Sequence, residues 1–206
     1  MNFHKILVIG DVAVGKTSLV NRVVYNSFSE KYKATIGCEF GIKQMKVDGE
    51  EVKIQLWDLA GQDRLGGISR LYCRDAHGAL VVTDITREDT LEKALIWKSI
   101  VDEQTATQSG KPIPMILCVN KFDLADDSSS SSLTEHKLVQ FAAEKKFEAG
   151  FFTSAKTGMN SEQAVETLIR EVLKNTSTKL KSVEENLASG TNKIMQAKFA
   201  KKKSCC

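Results

Sequence analysis

No apolar run in these 206 residues approaches the roughly 20 needed to cross a bilayer. The N-terminus shows none of the charged, apolar and small-residue regions of a secretory signal, so the chain is expected on the cytosolic side of membranes. A disulfide framework is missing too. Of five cysteines, Cys38, Cys73 and Cys118 are scattered through apparent core or loop segments, and the other two, Cys205 and Cys206, come last. Charge of one sign is scarce: the net charge of +3 is too mild to imply a nucleic-acid partner. Its placement is nevertheless uneven, with Lys198, Lys201, Lys202 and Lys203 crowded just before the terminal cysteines. A hydrophobic content of 42% and a charged content of 27% are those of a soluble globular protein, long enough for one domain and a tail.

Continuous apolar runs that end in polar residues alternate with helical patterns, as in a parallel sheet covered on both faces. The runs Lys5 to Ile9, Ala79 to Val82, Met115 to Val119 and Phe151 to Thr153 predict strands. Helical periodicity falls near Lys16 to Val24, Leu91 to Asp102, Thr134 to Lys146 and Ser161 to Lys174. Phe40 to Val47 and Val52 to Trp57 flank Asp48-Gly49, a preferred two-residue turn, which predicts a hairpin and an antiparallel edge strand. The expected class is α/β: a mostly parallel six-stranded sheet with one antiparallel edge strand and helices on both faces. Asp126 to Ser132, with five consecutive serines, reads as a surface loop, with a regulatory phosphosite as the alternative. Periodicity fades after Lys174, which predicts a domain over residues 1–175 and a flexible tail over 176–206.

Ligands of such sheets sit beyond the carboxyl ends of the strands, and the chemically suggestive residues do follow strand ends. Gly10-Asp11-Val12-Ala13-Val14-Gly15-Lys16-Thr17, followed by Ser18, is a complete G-x-x-x-x-G-K-[ST] loop between an apolar run and a helical pattern. Its glycines let successive N–H groups turn inward around a polyphosphate, and the helix opening there adds the positive end of its dipole. Lys16 is expected on the β and γ oxygens, and the Thr17 hydroxyl on Mg²⁺.

A phosphate loop alone leaves kinases, ATPases and GTPases open, so the base must be read elsewhere. Asn120-Lys121-Phe122-Asp123 offers the Asp123 carboxylate to the ring N–H and exocyclic amino group of guanine. Adenine lacks that amino group and would leave a buried charge unpaired. Lys121 can lie along the base, Asn120 can tie this loop to the phosphate loop, and Phe28 can stack on the base. In Ser154-Ala155-Lys156 the Ala155 N–H could meet the guanine carbonyl. Two γ-phosphate sensors complete the set. Thr35 can give its hydroxyl to Mg²⁺ and its N–H to the phosphate; Asp58 can hold a water of the metal shell, and the Gly61 N–H can bond the same phosphate. Gln62 is placed to orient the attacking water. Catalysis is therefore expected from Gln62, Lys16 and Thr35.

These motifs, in this order across residues 10 to 156, resemble the P-loop NTPase G domain of Ras-like small GTPases and, more closely, the Rab branch. Trp57-Asp58-x-Ala60-Gly61-Gln62, Ile36-Gly37-x-x-Phe40 and the terminal Cys205-Cys206 carry the resemblance. Leu59, Glu39, Trp97-Lys98-Ser99 and Pro112-Ile113-Pro114 are similar to the Rab thirty-two and thirty-eight group, which serves lysosome-related organelles. The resemblance implies a monomeric GTPase converting GTP and water to GDP and phosphate. It also implies Phe40, Trp57 and Tyr72 as an effector-facing triad, and as partners an exchange factor, an activating protein, escort and dissociation-inhibitor proteins, and GTP-state effectors. Leu65, Gly66-Gly67 and Cys73 depart from the pattern and put effector identity in doubt. Val12 departs too: a side chain there crowds the water-positioning glutamine and should slow intrinsic hydrolysis.

Two lipid chains, or one plus a basic patch, anchor a protein stably where one chain alone does not. Cys205 and Cys206 supply two thiols beside a lysine cluster, and the ending is not a C-a-a-X box. It is similar to the Rab double-cysteine ending, which implies geranylgeranylation of both and residence on the cytoplasmic face of endosomal, lysosome-related or phagosomal membranes, with an inhibitor-bound cytosolic pool. Two other readings stand beside this one. A nucleotide-locked scaffold is favoured by Val12 alone, and a P-loop kinase would need an acceptor pocket and an arginine-rich lid but no guanine-reading loop.

Overall fold

The computed structural model describes residues 3–61, 70–109, 111–125 and 133–176. Six strands form one sheet in the order β2-β3-β1-β4-β5-β6. At its centre β1 (Phe3–Gly10) lies parallel to β3 (Glu50–Leu59) on one side and to β4 (Gly78–Asp84) on the other. β5 (Met115–Asn120) and β6 (Ala149–Phe152) continue the parallel run, while β2 (Cys38–Val47) pairs antiparallel with β3 at the edge.

Side-chain character explains the order. Every residue of β4 and β5 is buried, as central parallel strands with both faces covered must be. β2 is mostly open to solvent, which suits an edge. Its hairpin turns at Asp48 (φ 49°) and Gly49 (φ 91°), the two positive values of a type I′ turn, joining Val47 directly to its partner Glu50.

Because neighbouring residues of a strand point to opposite faces, the sheet buries two separate layers. On one face Leu7, Ile9, Val81, Leu117 and Val119 meet α3 (Asp89–Ser109) through Ala94, Trp97 and Val101, and α4 (Glu135–Glu144) through Leu138 and Ala142. On the other, Ile6, Val8, Ile54, Leu56 and Leu80 are buried, with α1 (Lys16–Tyr25) lying against β1, β2 and β3. The helix over 161–176, α5, buries Ala164, Val165, Leu168 and Ile169. Lys43 of β2 donates from Nζ to Val23 O of α1 and to Glu162 of α5, which puts both helices on this face.

Each sequence-predicted strand and helix is present, with ends displaced by a few residues. The largest difference is α3, which begins at Asp89 and runs to Ser109 instead of spanning Leu91 to Asp102. Thr134 starts α4 not as its first residue but as its cap, accepting from Lys137 N at 3.3 Å. α2 (Arg70–Cys73) has no counterpart in the sequence reading, since four residues are too few to establish a helical period. Residues Met1–Glu171 form one compact unit; in the unit that begins at Val172 the described residues, through Thr176, are helical. The serine loop and the tail lie outside the described residues, as do Gln62, Leu65, Gly66, Gly67, Cys205 and Cys206.

Parallel strands that all run one way bring Gly10, Asp58, Asp84 and Asn120 to one edge, and Thr153 follows β6 there. Gly10 is fixed by contact: a Cβ on it would stand 2.1 Å from the Val82 carbonyl oxygen, main chain that cannot retreat. Gly49 has the same kind of positive φ but open space around it. Gly10→Ala should therefore cost about 3 kcal/mol, and Gly49→Ala only about 1 kcal/mol,. Urea midpoints at unchanged m-value, with nucleotide held at one saturating concentration, check the contrast.

Candidate active site

A single strand-to-helix passage builds the phosphate loop. β1 ends at Gly10 and α1 opens at Lys16, with Ala13 (φ 60°) and Gly15 (φ 95°) in left-handed backbone between them. Gly15 caps α1 without a side-chain oxygen, which leaves the first-turn N–H groups for a ligand. Lys16 is almost wholly buried, and its Nζ donates to Gly10 O at 3.1 Å and Asp11 O at 2.9 Å. Burial lowers its pKa to about 8, although Asp58 and Asp11 pull the other way. A desolvated ammonium in such a loop is matched to an anion. Gly61 presses on the same place: a Cβ there would lie 2.7 Å from Asp11 O and from Lys16 Nζ.

Three oxygens from three distant segments converge beside it. Thr17 Oγ1 donates to Asp58 Oδ2 at 2.6 Å and lies 2.7 Å from Thr35 Oγ1, which is 3.2 Å from the same carboxylate oxygen. Asp58 is buried and its Oδ1 has no partner among the described residues. Desolvation raises its pKa despite the bonds from Thr17 and Thr35 and the charge of Lys16. Octahedral Mg²⁺, with ligands at 2.0–2.1 Å, sets neighbouring ligand oxygens about 2.9 Å apart. This trio of hard oxygens, with one carboxylate oxygen orphaned, fits that ion.

From the phosphate loop a cavity of about 710 Å³ runs past Thr35 and Phe28 to Lys121, Asp123 and Ala155, within the range of small-molecule sites. Val12, Ala13, Gly15, Lys16, Thr17, Ser18, Gly61, Asn120 and Lys156 also line it. Gly10, Asp11, Val14, Asp58 and Ser154, also expected at the site, do not line it. The Asn120 side chain binds the loops together as the sequence suggests: Nδ2 donates to Val14 O at 2.9 Å. Its Oδ1 accepts from Ala155 N at 3.2 Å and from Thr153 Oγ1 at 3.3 Å. The Ala155 N–H, expected on the base, is thus engaged in holding its own loop. Asp123 accepts from Ser154 Oγ at 2.5 Å, joining the segment after β5 to the segment after β6.

Several residues essential to this arrangement escaped the sequence reading. Lys121 sends its Nζ to Asp84 Oδ2 at 2.7 Å. Burial works against the Asp84 carboxylate, yet bonds from Lys121 and Thr86 hold its pKa below the usual value. Arg87 donates from Nη2 to Val12 O at 2.7 Å, and Lys93 pairs with Asp11 Oδ2 at 2.8 Å. On the far side Arg22 of α1 donates to Ala155 O at 2.8 Å and Lys156 O at 2.7 Å. The signal for Asp84 was its place at the end of a buried strand; the three cations offered none, being ordinary members of amphipathic helices or turns.

Toward the β2 edge, Phe40 and Trp57 are cross-strand neighbours with ring centroids 5.7 Å apart and planes at 25°. Lys5 Nζ lies 4.1 Å from the Trp57 ring centroid. Phe40 and Ile36 are exposed, while Tyr72 packs half-buried against the core.

Removing the Asn120 amide strands the Val14 carbonyl and the Ala155 N–H in the interior. Asn120→Ala should cost about 2–3 kcal/mol of stability. It should also accelerate release of a fluorescent GDP analogue by about a hundredfold, since 2.7 kcal/mol is two decades in rate. Stopped-flow displacement and urea unfolding read the two effects separately.

Comparison with known proteins agrees with the geometry. The Ras family profile matches residues 5–174, nearly the whole described chain. The chain is 43% identical to human Ras-related protein Rab-32 over 175 residues, 84% of this chain and 76% of that one. It is 38% identical to Rab-32A of Dictyostelium discoideum over 98% of this chain and 93% of that one. It is also 36% identical to mouse Rab-7L1, over all of this chain and 98% of that one. With the family profile spanning residues 5–174 and relatives of this identity over most of their length, the chain belongs to the Ras family, in its Rab branch, and is a small GTPase that hydrolyses GTP.

Proposed function

We propose that this GTPase is a membrane-trafficking switch whose on-state is read at the β2 edge and whose lifetime is set within the phosphate loop. The observation that carries the proposal is the meeting of Thr17, Thr35 and Asp58 within 3.2 Å. Thr35 belongs to the segment before β2, and Asp58 lies near the end of β3, so one small site joins the phosphate loop to both segments that border the exposed Phe40 and Ile36. A ligand change at the γ position is then felt at a protein-binding surface.

The roles divide by chemistry. Lys16 neutralises β and γ oxygens; Asp123 reads the guanine edge, Asn120 fixes the loops, and Phe28 borders the base. Thr17 and Thr35 would hold Mg²⁺ directly and Asp58 through water, and the bound ion would neutralise charge on the phosphate oxygens. The N–H groups of Thr35 and Gly61 face the γ-phosphate and lose that partner on its departure. Gln62 orients the attacking water by donating to one neighbour and accepting from another. Phe40, Trp57 and Tyr72 offer effectors aromatic side chains.

The tail anchors the switch: geranylgeranyl groups on Cys205 and Cys206, assisted by the preceding lysines, hold it on lysosome-related or phagosomal membranes. Residues 1–175 form the switch domain and 176–206 its tether. An exchange factor, an activating protein and a dissociation inhibitor govern the cycle. A nucleotide-locked scaffold is disfavoured by the retention of Thr35, Asp58 and Gln62 together.

Val12 lines the cavity, and in this reading its isopropyl group crowds the water that Gln62 orients. In single-turnover assays Val12→Gly should raise intrinsic hydrolysis several-fold above a starting rate of about 10⁻⁴ to 10⁻³ per second. An unchanged rate would remove Val12 from the timer, and phosphate release too slow to measure, even with an activating protein, would restore the scaffold reading. For the tail, intact mass from the membrane-bound pool should show two geranylgeranyl additions, and replacing both cysteines with serine should move the chain to the cytosol. An unmodified mass in that pool would defeat the anchoring scheme.

A further inference from the structure

Arg87 lies just beyond β4, behind the cavity, and reaches forward to a single peptide group. Its Nη2 donates to Val12 O at 2.7 Å. The guanidinium is braced from the rear: Nε is 3.5 Å from Asp84 Oδ2 and Nη1 is 3.9 Å from Asp11 Oδ2. Asp84 is itself fixed by Lys121 and by the N–H and hydroxyl of Thr86. The arginine main chain is equally constrained, since its N–H donates to Asp84 O at 3.0 Å and its carbonyl accepts from Thr90 Oγ1 at 2.7 Å. The contact is therefore held from both ends.

The Val12–Ala13 peptide is trans and planar, so its carbonyl and its N–H point in opposite directions. Val12 and Ala13 line the cavity and Arg87 does not. Drawing the carbonyl back toward Arg87 turns the Ala13 N–H toward the phosphates. Ala13 holds φ at 60°, a left-handed conformation that costs a residue with a Cβ about 1–2 kcal/mol. Left untethered, the peptide could relax by rotating, and its carbonyl oxygen would then face phosphate oxygens of the same partial charge. Arg87 opposes that rotation.

We propose that Arg87 is a positioning residue for GTP hydrolysis, which holds the Val12–Ala13 peptide so that the Ala13 N–H is aimed at the oxygen that bridges the β and γ phosphorus atoms. In the reaction the water oxygen bonds to the γ phosphorus as the bond from that phosphorus to the bridging oxygen breaks. The electron pair stays on that oxygen, now part of the β-phosphate of the departing GDP, and both hydrogens of the water leave with inorganic phosphate. Negative charge therefore grows on the oxygen the N–H faces, and the bond to it strengthens in the transition state more than in the bound ground state. Loss of Arg87 should thus slow hydrolysis more than it loosens nucleotide. The inference rests on GTP hydrolysis by the chain, which phosphate release from the unaltered protein tests by itself.

The experiment compares intrinsic single-turnover hydrolysis and GDP release in Arg87→Ala, Arg87→Lys and Lys93→Ala. Arg87→Ala is expected to slow hydrolysis about tenfold or more, below the full cost of deleting a transition-state donor, while GDP release rises by less than about threefold. Arg87→Lys keeps the charge and one donor without the braced fork, so its rate should fall between. Lys93→Ala removes a cation from Asp11 of the same loop without touching the Val12 carbonyl, and should slow hydrolysis less than a third as much. The ³¹P resonance of the β-phosphate in bound GTP should shift in Arg87→Ala more than in Lys93→Ala. Should Arg87→Ala not fold, Arg87→Met, similar in length, carries the same expectations. Equal slowing by the Arg87 and Lys93 variants would reduce the effect to charge and overturn the proposal. So would an unchanged hydrolysis rate, or a rise in GDP release as large as the loss of hydrolysis.

Discussion

The buried amide of Asn120 is where the separate parts of the site are tied together. It ends β5, and from there it donates to the phosphate loop at Val14 and accepts from both Ala155 and Thr153 beyond β6. No other side-chain type of that size offers two donors and an acceptor in one plane, so three loops from three strand ends share a single group. Gly15 is part of the same constraint: a Cβ there would come within 2.4 Å of the Asn120 nitrogen. Distance between the phosphate loop and the loops after β5 and β6 is thereby fixed by one hydrogen-bonded residue.

Charge is distributed around that cavity with the same economy. Two buried carboxylates do different work because their surroundings differ. Asp84 is fully paired, between Lys121 and Arg87 with Thr86 beside it, and serves to lock side chains from behind. Asp58 keeps one oxygen unpartnered among the described residues and faces two threonine hydroxyls. Lys16 stands opposite, desolvated and held by the main-chain carbonyls of Gly10 and Asp11. In a region where water does not screen, an anion of the right shape gains from each of these groups at once.

The proposed switch follows from where the three clustered oxygens originate. Thr17 is anchored in α1, whereas Thr35 sits in the irregular segment between α1 and β2, which forms one wall of the cavity. Few main-chain bonds hold that segment to the body; Ala60 N to Gly37 O, at 2.9 Å, is a described link to β3. Segments with so little of their own packing are the ones a ligand can order or release. The rigid sheet, by contrast, keeps the Phe40 and Trp57 pair in register whatever the segment does.

The fold was largely legible in the chain because burial on both faces leaves its mark as continuous apolar runs, and because Asp48-Gly49 has few conformations other than a tight turn. The phosphate loop and the guanine-reading segments were legible for a similar reason: their chemistry depends on main-chain geometry and short spacings that a local stretch records. Sequence therefore settled the elements, their kinds and the ligand they could bind. It could not reveal that Arg87 and Lys93 grip the phosphate loop, that Arg22 holds the carbonyls of Ala155 and Lys156, or that Ala155 gives its N–H to Asn120. Nor could it show Asp84 shared between a base-reading lysine and a loop-holding arginine. Those contacts join residues that are mostly tens of positions apart and whose types are ordinary on any helix surface. Only the parallel sheet, by carrying five strand ends to one edge, decided which of them would meet.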